Sequence, residues 1–312
     1  MIVVPTPLII DTDPGVDDAV AVVLALRSPE VDVRAVTVAF GNVALGFTLP
    51  NARKLLALAG RTDVPVAAGA ARPLVYPQAE EAADWHGADG LGGRAASLLA
   101  EAPLDPRPAV DVMTEVLRHA AEPVTIASIG PLTNTALLLA THPELIGRIG
   151  RIVVMGGSLG AGNTTGAAEF NIYADPEAAH RVLTQPDVPV TLVPLDLTMR
   201  CAAPGPWIDA LSAGSAIGAV LADILLAYRA AFRERFGRDA AALHDAVALL
   251  EAIVPGTLRT TPLPIRVACD HGPGRGATVP DGRPDAPGPM VHVALDADVD
   301  AVLEEIARRL RD

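Results

Sequence analysis

Short apolar runs and helical patterns alternate along most of the chain. The runs Leu8–Asp13, Asp32–Phe40, Val124–Ile129, Arg151–Met155 and Pro189–Leu195 are rich in Val and Ile and end at Gly, Pro or polar residues, which predicts buried strands. Helical patterns cover Asp17–Arg27, Asn51–Ala59, Ala109–Ala120, Leu132–Ala140 and Pro176–Thr184. Strand-helix alternation of this kind predicts a mostly parallel sheet covered by helices on both faces. After Leu195 the pattern changes. Ser215–Phe236 reads as one long helix or two short ones, Asp245–Ile253 as another, and Val299–Leu310 as the closing helix. Two late strands, Pro264–Cys269 and Val291–Leu295, flank a Gly/Pro-rich surface excursion, His271–Pro289. A second Gly-rich loop, Leu74–Gly93, holds Trp85 and His86; loops of this length in a compact domain often act as lids or binding loops. With no internal repeat and no linker, the expectation is an α/β fold in one domain spanning residues 1–312, built on an open, mostly parallel, mixed sheet.

Composition narrows the function classes. The chain carries 24 basic against 37 acidic residues, a net charge of −13, which argues against a nucleic-acid partner. No stretch approaches the ~20 consecutive apolar residues of a membrane span, so no membrane partner is expected. The first ten residues lack a basic segment and are interrupted by Pro5 and Pro7, which reads as the lead into a strand rather than a signal peptide. Cys201 and Cys269 have no metal-ligand spacing and read as reduced thiols of a cytoplasmic protein.

The most informative segment is Asp11-Thr12-Asp13-Pro14-Gly15-Val16-Asp17-Asp18, with four carboxylates in eight residues where a strand meets a helix. Helix capping explains Asp17 and Asp18 in a first turn. It does not explain Asp11 and Asp13 crowded against them, because unpaired carboxylates repel, and a cation is the economical remedy. Oxygen ligands without Cys or His favour Ca2+ or Mg2+ over zinc. In an open, Rossmann-like sheet, ligands bind beyond the carboxyl ends of the strands. There the predicted strands place Asp13, Gly41-Asn42, Ile129-Gly130 with Asn134 nearby, and Met155-Gly156-Gly157.

These residues resemble the inosine-uridine-type nucleoside hydrolases. The segment Asp11–Ala19 is similar to that family's N-terminal signature, DxDPGxDDA. The likeness continues through Gly41-Asn42, His86–Leu91, Gly130–Asn134, Met155–Gly157, Asn163, Glu169–Asn171, Asp175–Ala178 and His244-Asp245. The resemblance implies Ca2+ held by Asp13, Asp18, Asp245 and the main-chain carbonyl of Ile129. Asp17, Asn42 and Asn171 would hold the ribose hydroxyls or orient the ligands, Asn163 and Glu169 would reach the 5′-hydroxyl, and Met155 would pack on the ribose. His86 and His244 would lie near the base, His244 as candidate general acid. It also implies a homodimer or homotetramer acting on a small ribonucleoside.

The chemistry suits these residues. Cleaving an N-glycosidic bond builds an oxocarbenium-like transition state. A carboxylate beside a cation-held water can take its proton, and Asp13 is the candidate. A purine can leave after protonation at N7, for which the near-neutral pKa of an ordinary histidine suits His244. Tyr228 and Trp85 are candidates to stack on the base, with plain packing equally open. Three rivals remain: a phosphoryl-transfer enzyme using Asp11, an inactive nucleoside or sugar binder, and a hydrolase of a modified nucleoside. The first lacks a suitable lysine, since the only one, Lys54, sits within a predicted helix. Base preference depends on loops that the pattern does not specify.

Overall fold

Leu8, Ile9 and Ile10 point alternately to opposite sides of the first strand, and all three are buried, so this strand has helices on both faces. The computed structural model describes residues 4–77, 81–185 and 187–311. Positions 1–3 of the N-terminal lead, 78–80 of the loop Leu74–Gly93, and 186 and 312 of the expected domain lie outside the described residues.

The chain runs β1 (Thr6–Thr12), α1 (Val16–Leu26), β2 (Val31–Val38), α2 (Leu45–Leu58), β3 (Val66–Ala68), α3 (Ala83–His86), β4 (Leu104–Asp105) and α4 (Ala109–His119). It continues through β5 (Val124–Ser128), α5 (Thr133–Thr141), β6 (Ile149–Met155), α6 (Phe170–Ala174), α7 (Pro176–Leu183), β7 (Val190–Val193) and α8 (Leu195–Thr198). Then come β8 (Ala203–Pro204), α9 (Gly205–Gly214), α10 (Ala216–Phe236), β9 (Ala240–Ala241), α11 (His244–Ile253), β10 (Leu258–Val267), β11 (Thr278–Pro280), β12 (Met290–Ala297) and α12 (Val299–Arg311).

Ten strands form one sheet in the order β11-β10-β12-β7-β6-β5-β1-β2-β3-β4. All neighbours are parallel except β10, which pairs antiparallel with both β11 and β12. Leu8 and Ile10 join a core layer with α1, α10 and α11, while Ile9 joins Met113 and Leu117 of α4 and Leu138 of α5 on the other side. Helix α1 is buried along its whole length, which explains its nearly unbroken apolar sequence.

The strand order reverses at β1. Strands β2 to β4 extend to one side of it and β5 to β7 to the other, and such a reversal opens a crevice at the carboxyl ends of the two central strands. Asp11 of β1 pairs with Ser128 of β5, and the Ile129 N–H donates to the Asp11 carbonyl at 2.8 Å. Asp13 and Ile129 therefore emerge side by side at the mouth of that crevice.

Some expectations need correction. Helix α2 begins at Leu45, six residues before the predicted start, and carries Pro50 inside it. The stretch His271–Pro289 is not wholly an excursion, because Thr278–Pro280 pairs with β10 as the edge strand. Residues 216–236 form one long helix, started by Ser215 accepting from the Gly218 N–H and stopped by Gly237 at φ +64°. Among the described residues no helix is long and apolar enough to cross a membrane.

Candidate active site

Every residue expected to hold the metal, the sugar or the base, apart from Asp13 and Asp18, lines one cavity of about 690 Å³ with its solvent-open mouth included. Asp13 and Asp18 lie behind its floor, fully buried. Turn Pro14-Gly15 carries the chain from β1 into α1. Asp18 then accepts from the Thr12 hydroxyl at 2.5 Å, the Gly15 N–H at 2.9 Å and the Asn42 amide at 3.0 Å. Asn42 also donates its backbone N–H to Asp13 Oδ2 at 2.7 Å and its side-chain amide to the Asp13 carbonyl at 3.2 Å. Asn42 thus locks both carboxylates from β2's end.

One carboxylate oxygen each from Asp17, Asp18 and Asp245 lies within 4.8 Å of the other two, a grouping that can hold a metal ion. Asp13 Oδ1 is buried with no hydrogen-bond partner, an expensive state for a carboxylate oxygen without a cation. Burial raises the Asp13 carboxyl well above its usual range, and Asp18 adds repulsion. Burial and the Asp18 charge push Asp17 up to about 7. Asp245 is raised well above the usual range by burial and by the Asp17, Asp18 and Asp13 charges. Four buried acids without an Arg or Lys partner among the ion pairs of the described residues call for positive charge from a ligand. Oxygen donors alone fit a hard divalent cation.

Asp11 departs from the sequence expectation. It does not join this cluster but accepts from Thr37 Oγ1 at 2.7 Å, Asn134 Nδ2 at 2.8 Å and Thr135 Oγ1 at 3.2 Å. It ties β1, β2 and α5 together, with burial raising its carboxyl to about 6.

The opposite wall comes from β6 and α6. Asn171 Nδ2 donates to the carbonyls of Ile129 at 3.1 Å and Met155 at 3.3 Å, spanning β5 and β6. Glu169 caps α6, accepting from the N–H groups of Gly157 at 2.8 Å, Asn171 at 3.0 Å and Ile172 at 3.2 Å. Burial nonetheless pushes its carboxyl up to about 7. Asn163, which is exposed, accepts from the Phe170 N–H at 2.9 Å.

Both cavity histidines are committed at Nδ1. His86 Nδ1 accepts from the Val16 N–H at 3.0 Å and so satisfies an orphan donor of α1. Burial lowers its pKa to about 3, with a further contribution from His244. His244 Nδ1 shares a 2.6 Å hydrogen bond with the Thr198 hydroxyl. Burial lowers its pKa to about 4, well below the near-neutral value of an ordinary histidine.

Residues 8–304 match the family model described as inosine-uridine preferring nucleoside hydrolase. The chain belongs to this family. This nucleoside hydrolase is 40% identical over 313 residues to the pyrimidine-specific ribonucleoside hydrolase RihA of Escherichia coli O9:H4 (strain HS), with 98% of each chain covered. Among solved structures it is similar to the plant nucleoside hydrolase PpNRh1, at 34% identity and TM-score 0.92 over 99% of both chains. It is also similar to the purine-preferring ribonucleoside hydrolase from Gardnerella vaginalis, at 31% identity and TM-score 0.87 over 98% of both chains. As a nucleoside hydrolase it is a glycosidase that cleaves the N-glycosidic bond of ribonucleosides with water.

Sequence reasoning missed several of this nucleoside hydrolase's cavity residues. Thr198 is fully buried and carries no motif; the short helix α8 delivers it to His244 from β7's end. Thr198 is not itself part of the lining, whereas Phe170, Phe232, Phe236, Leu195 and Met199 are. A signal for two of them was present, since Tyr228, Phe232 and Phe236 recur every four residues on the predicted helix and so share one face.

Proposed function

We propose that this nucleoside hydrolase releases free base from ribonucleosides with Ca2+ held by Asp13, Asp18, Asp245 and the Ile129 carbonyl, and with Asp13 as the base that takes a proton from water. The observation that carries this reading is the unpartnered Asp13 Oδ1 beside three mutually close buried carboxylates, at the carboxyl ends of β1 and β5. When bound there, calcium acidifies a water and anchors hydroxyl oxygens.

The chain's own groups supply the rest. Asp13 Oδ2 is held by Asn42, which leaves Oδ1 free to take the proton as the water adds to C1′. The surrounding carboxylates favour the positive charge that develops on the ribose ring. Asp17 and Asn171 hold the secondary hydroxyls, Asn42 orients the carboxylates, Asn163 and Glu169 take the 5′-hydroxyl, and Met155 packs under the sugar. A grip on several hydroxyls at once favours a distorted pucker and stabilises the transition state more than the ground state.

His244 and His86 face the departing base, with Tyr228 beside them. Because Thr198 occupies His244 Nδ1, the Nε2 is the nitrogen available to N7 of a purine. The ring is neutral at pH 7, so it acts on negative charge as that charge builds on the base rather than from a standing imidazolium. We place the enzyme in the cytoplasm, as one domain over residues 1–312 that assembles as a homodimer or homotetramer.

The test is reducing-sugar release from inosine, adenosine, uridine and cytidine, before and after chelation. Ribose release that stops on chelation and returns with Ca2+ is expected. Release that persists in fully stripped enzyme would remove the cation from the reading.

A further inference from the structure

Between Met155, the last residue of β6, and Phe170, the first of α6, the chain makes no regular helix or strand, yet this loop delivers Asn163, Thr164 and Glu169 to the cavity. Holding such a segment in one shape is costly in entropy, and the loop is held from outside. Ala168 forms a single antiparallel bridge with Ala277, and its carbonyl accepts from the N–H groups of Asn163 and Thr164, each at 3.2 Å. Asp196 of α8 accepts from the Leu159 N–H at 2.8 Å. Thr278 of β11 grips the loop twice. Its hydroxyl accepts from the Ser158 N–H at 2.8 Å and donates to the Ser158 carbonyl at 2.7 Å, so one side chain satisfies both backbone groups of one residue. Gly157, at φ +75°, makes room for it, since a Cβ there would stand 2.9 Å from the Thr278 hydroxyl oxygen.

Strand β11 is the outer edge of the sheet, with β10, β12 and β7 between it and β6. Its side chains alternate, Thr278 buried and Val279 exposed. Among the described residues none of β11 lines the cavity, so Thr278 reaches the site only through the loop. Thr278 and Ser158 are both buried, where an unmade hydrogen bond is expensive. From Ser158 the path to the cavity is one residue long. The Gly157 N–H donates to Glu169 Oε2 at 2.8 Å, so the peptide groups that Thr278 fixes adjoin the one that aims this carboxylate. Asn163 Oδ1 accepts from the Phe170 N–H at 2.9 Å, which leaves the amide Nδ2 to donate to a ligand.

We propose that Thr278, seconded by Asp196, is a positioning residue of this enzyme: from the sheet's edge, through Ser158, it sets the loop that presents Asn163 and Glu169 to the substrate's 5′-hydroxyl. The proposal rests on the hydrolase reading above, in which those two residues take that hydroxyl. A grip remote from the bond that breaks helps only while its donors and acceptors stay in register with the sugar. Loss of the Thr278 hydroxyl therefore shows as lost recognition of one substrate hydroxyl, not as a general loss of rate.

The experiment measures kcat/KM by reducing-sugar release from inosine and from 5′-deoxyinosine with Ca2+ present, in the wild type, Thr278→Val, Thr278→Ser and Asp196→Ala. The wild type is expected to prefer inosine by at least about 100-fold, since the analogue leaves buried polar groups unpaired. Thr278→Val is expected to cut that preference about tenfold, mostly by slowing inosine, and Thr278→Ser to restore it. Asp196 is exposed, so its truncation leaves the fold intact; Asp196→Ala removes one bond from the same loop and is expected to lower the preference about threefold. Circular dichroism checks the fold of each variant. A folded Thr278→Val enzyme that keeps the wild-type preference, or slows equally on both substrates, overturns the proposal and leaves the hydrolase reading standing. Should Thr278→Val fail to fold, Asp196→Ala carries the test, and an unchanged preference there overturns the proposal. A wild type that hydrolyses both substrates alike removes the 5′-hydroxyl role of Asn163 and Glu169, and the proposal with it. No sugar from either substrate defeats the hydrolase reading itself.

Discussion

Gly41 and Gly130 flank the Asp13 carboxylate so closely that a Cβ on either would run into a carboxylate oxygen, Oδ2 from Gly41 and Oδ1 from Gly130. Their lack of a side chain lets the carboxylate stand between β2's end and β5's end. Gly130→Ala is therefore expected to displace Oδ1 and lower kcat by about 100-fold, the scale on which a misplaced reacting group costs rate. Asp13→Ala removes the base outright and is expected to leave no measurable turnover. Thr198 offers a sharper test, because its hydroxyl reaches the site through His244 Nδ1 at 2.6 Å, its other bond being a long one to the Leu195 carbonyl at 3.4 Å. Thr198→Val keeps the shape but loses the hydroxyl that fixes the ring, so kcat on inosine is expected to fall about tenfold with KM little changed. Thr198→Ser is expected to recover most of the rate. A riboside with a nitrophenolate leaving group needs no help in departing and is expected to be hydrolysed by Thr198→Val at close to the wild-type rate. If Thr198→Val slows both substrates alike, its role is structural.

At the scale of elements, what the sequence made legible follows from how strongly each segment's own pattern decides its state. Strands β1 and β5 and helix α1 are sandwiched between layers, so their apolar runs state their position plainly. Helix α2 was placed late because Pro50 looks like a start, whereas one lost backbone bond is tolerated in a helix packed against β2 and β3. Strand β11 was hidden because three residues between glycines and prolines have no periodicity, and only β10 makes them a strand. The acidic motif located the site, yet it could not separate Asp11 from the cluster, since Asn134 and Thr135 reach Asp11 from more than 120 positions away in sequence.

Helix α6 shows an element whose cap is also a site residue. Glu169 is 2% exposed and has a folded pKa of about 7 against an ordinary 4.5. As pH rises from 4.5 to 7 the unfolded chain loses this proton first, while the folded chain keeps it. The folded state then binds more protons, so stability falls through that window and levels off above 7. Glu169→Gln removes the titration. Between pH 4.5 and 7.5 the wild type is expected to lose about 2 kcal/mol more unfolding free energy than the variant, by denaturant titration. Parallel pH profiles would show that the three N–H donors already hold Glu169 ionised.

At the scale of the whole molecule, the strand-order reversal at β1 concentrates four buried carboxylates where β1, α1 and α11 meet. These elements also carry the larger core layer, so repulsion at the site is repulsion within the fold. A cation that binds only the folded chain adds stability by mass action, about 2.7 kcal/mol at a hundredfold excess over its dissociation constant. For a chain of this size each kcal/mol moves the melting point by roughly 2–4 °C, so calcium is expected to raise Tm by about 5–10 °C over the chelated protein. The rise should grow with the logarithm of calcium concentration. Asp245→Asn removes one ligand oxygen's charge and relieves repulsion, so the chelated variant is expected to melt above the chelated wild type yet gain less from calcium. That opposite movement separates a cation site from general ionic stabilisation, which would act on both proteins equally. A wild type that melts at one temperature with and without calcium would mean that protons, not a cation, neutralise the cluster, and Asp13 would then have no metal beside it to work with.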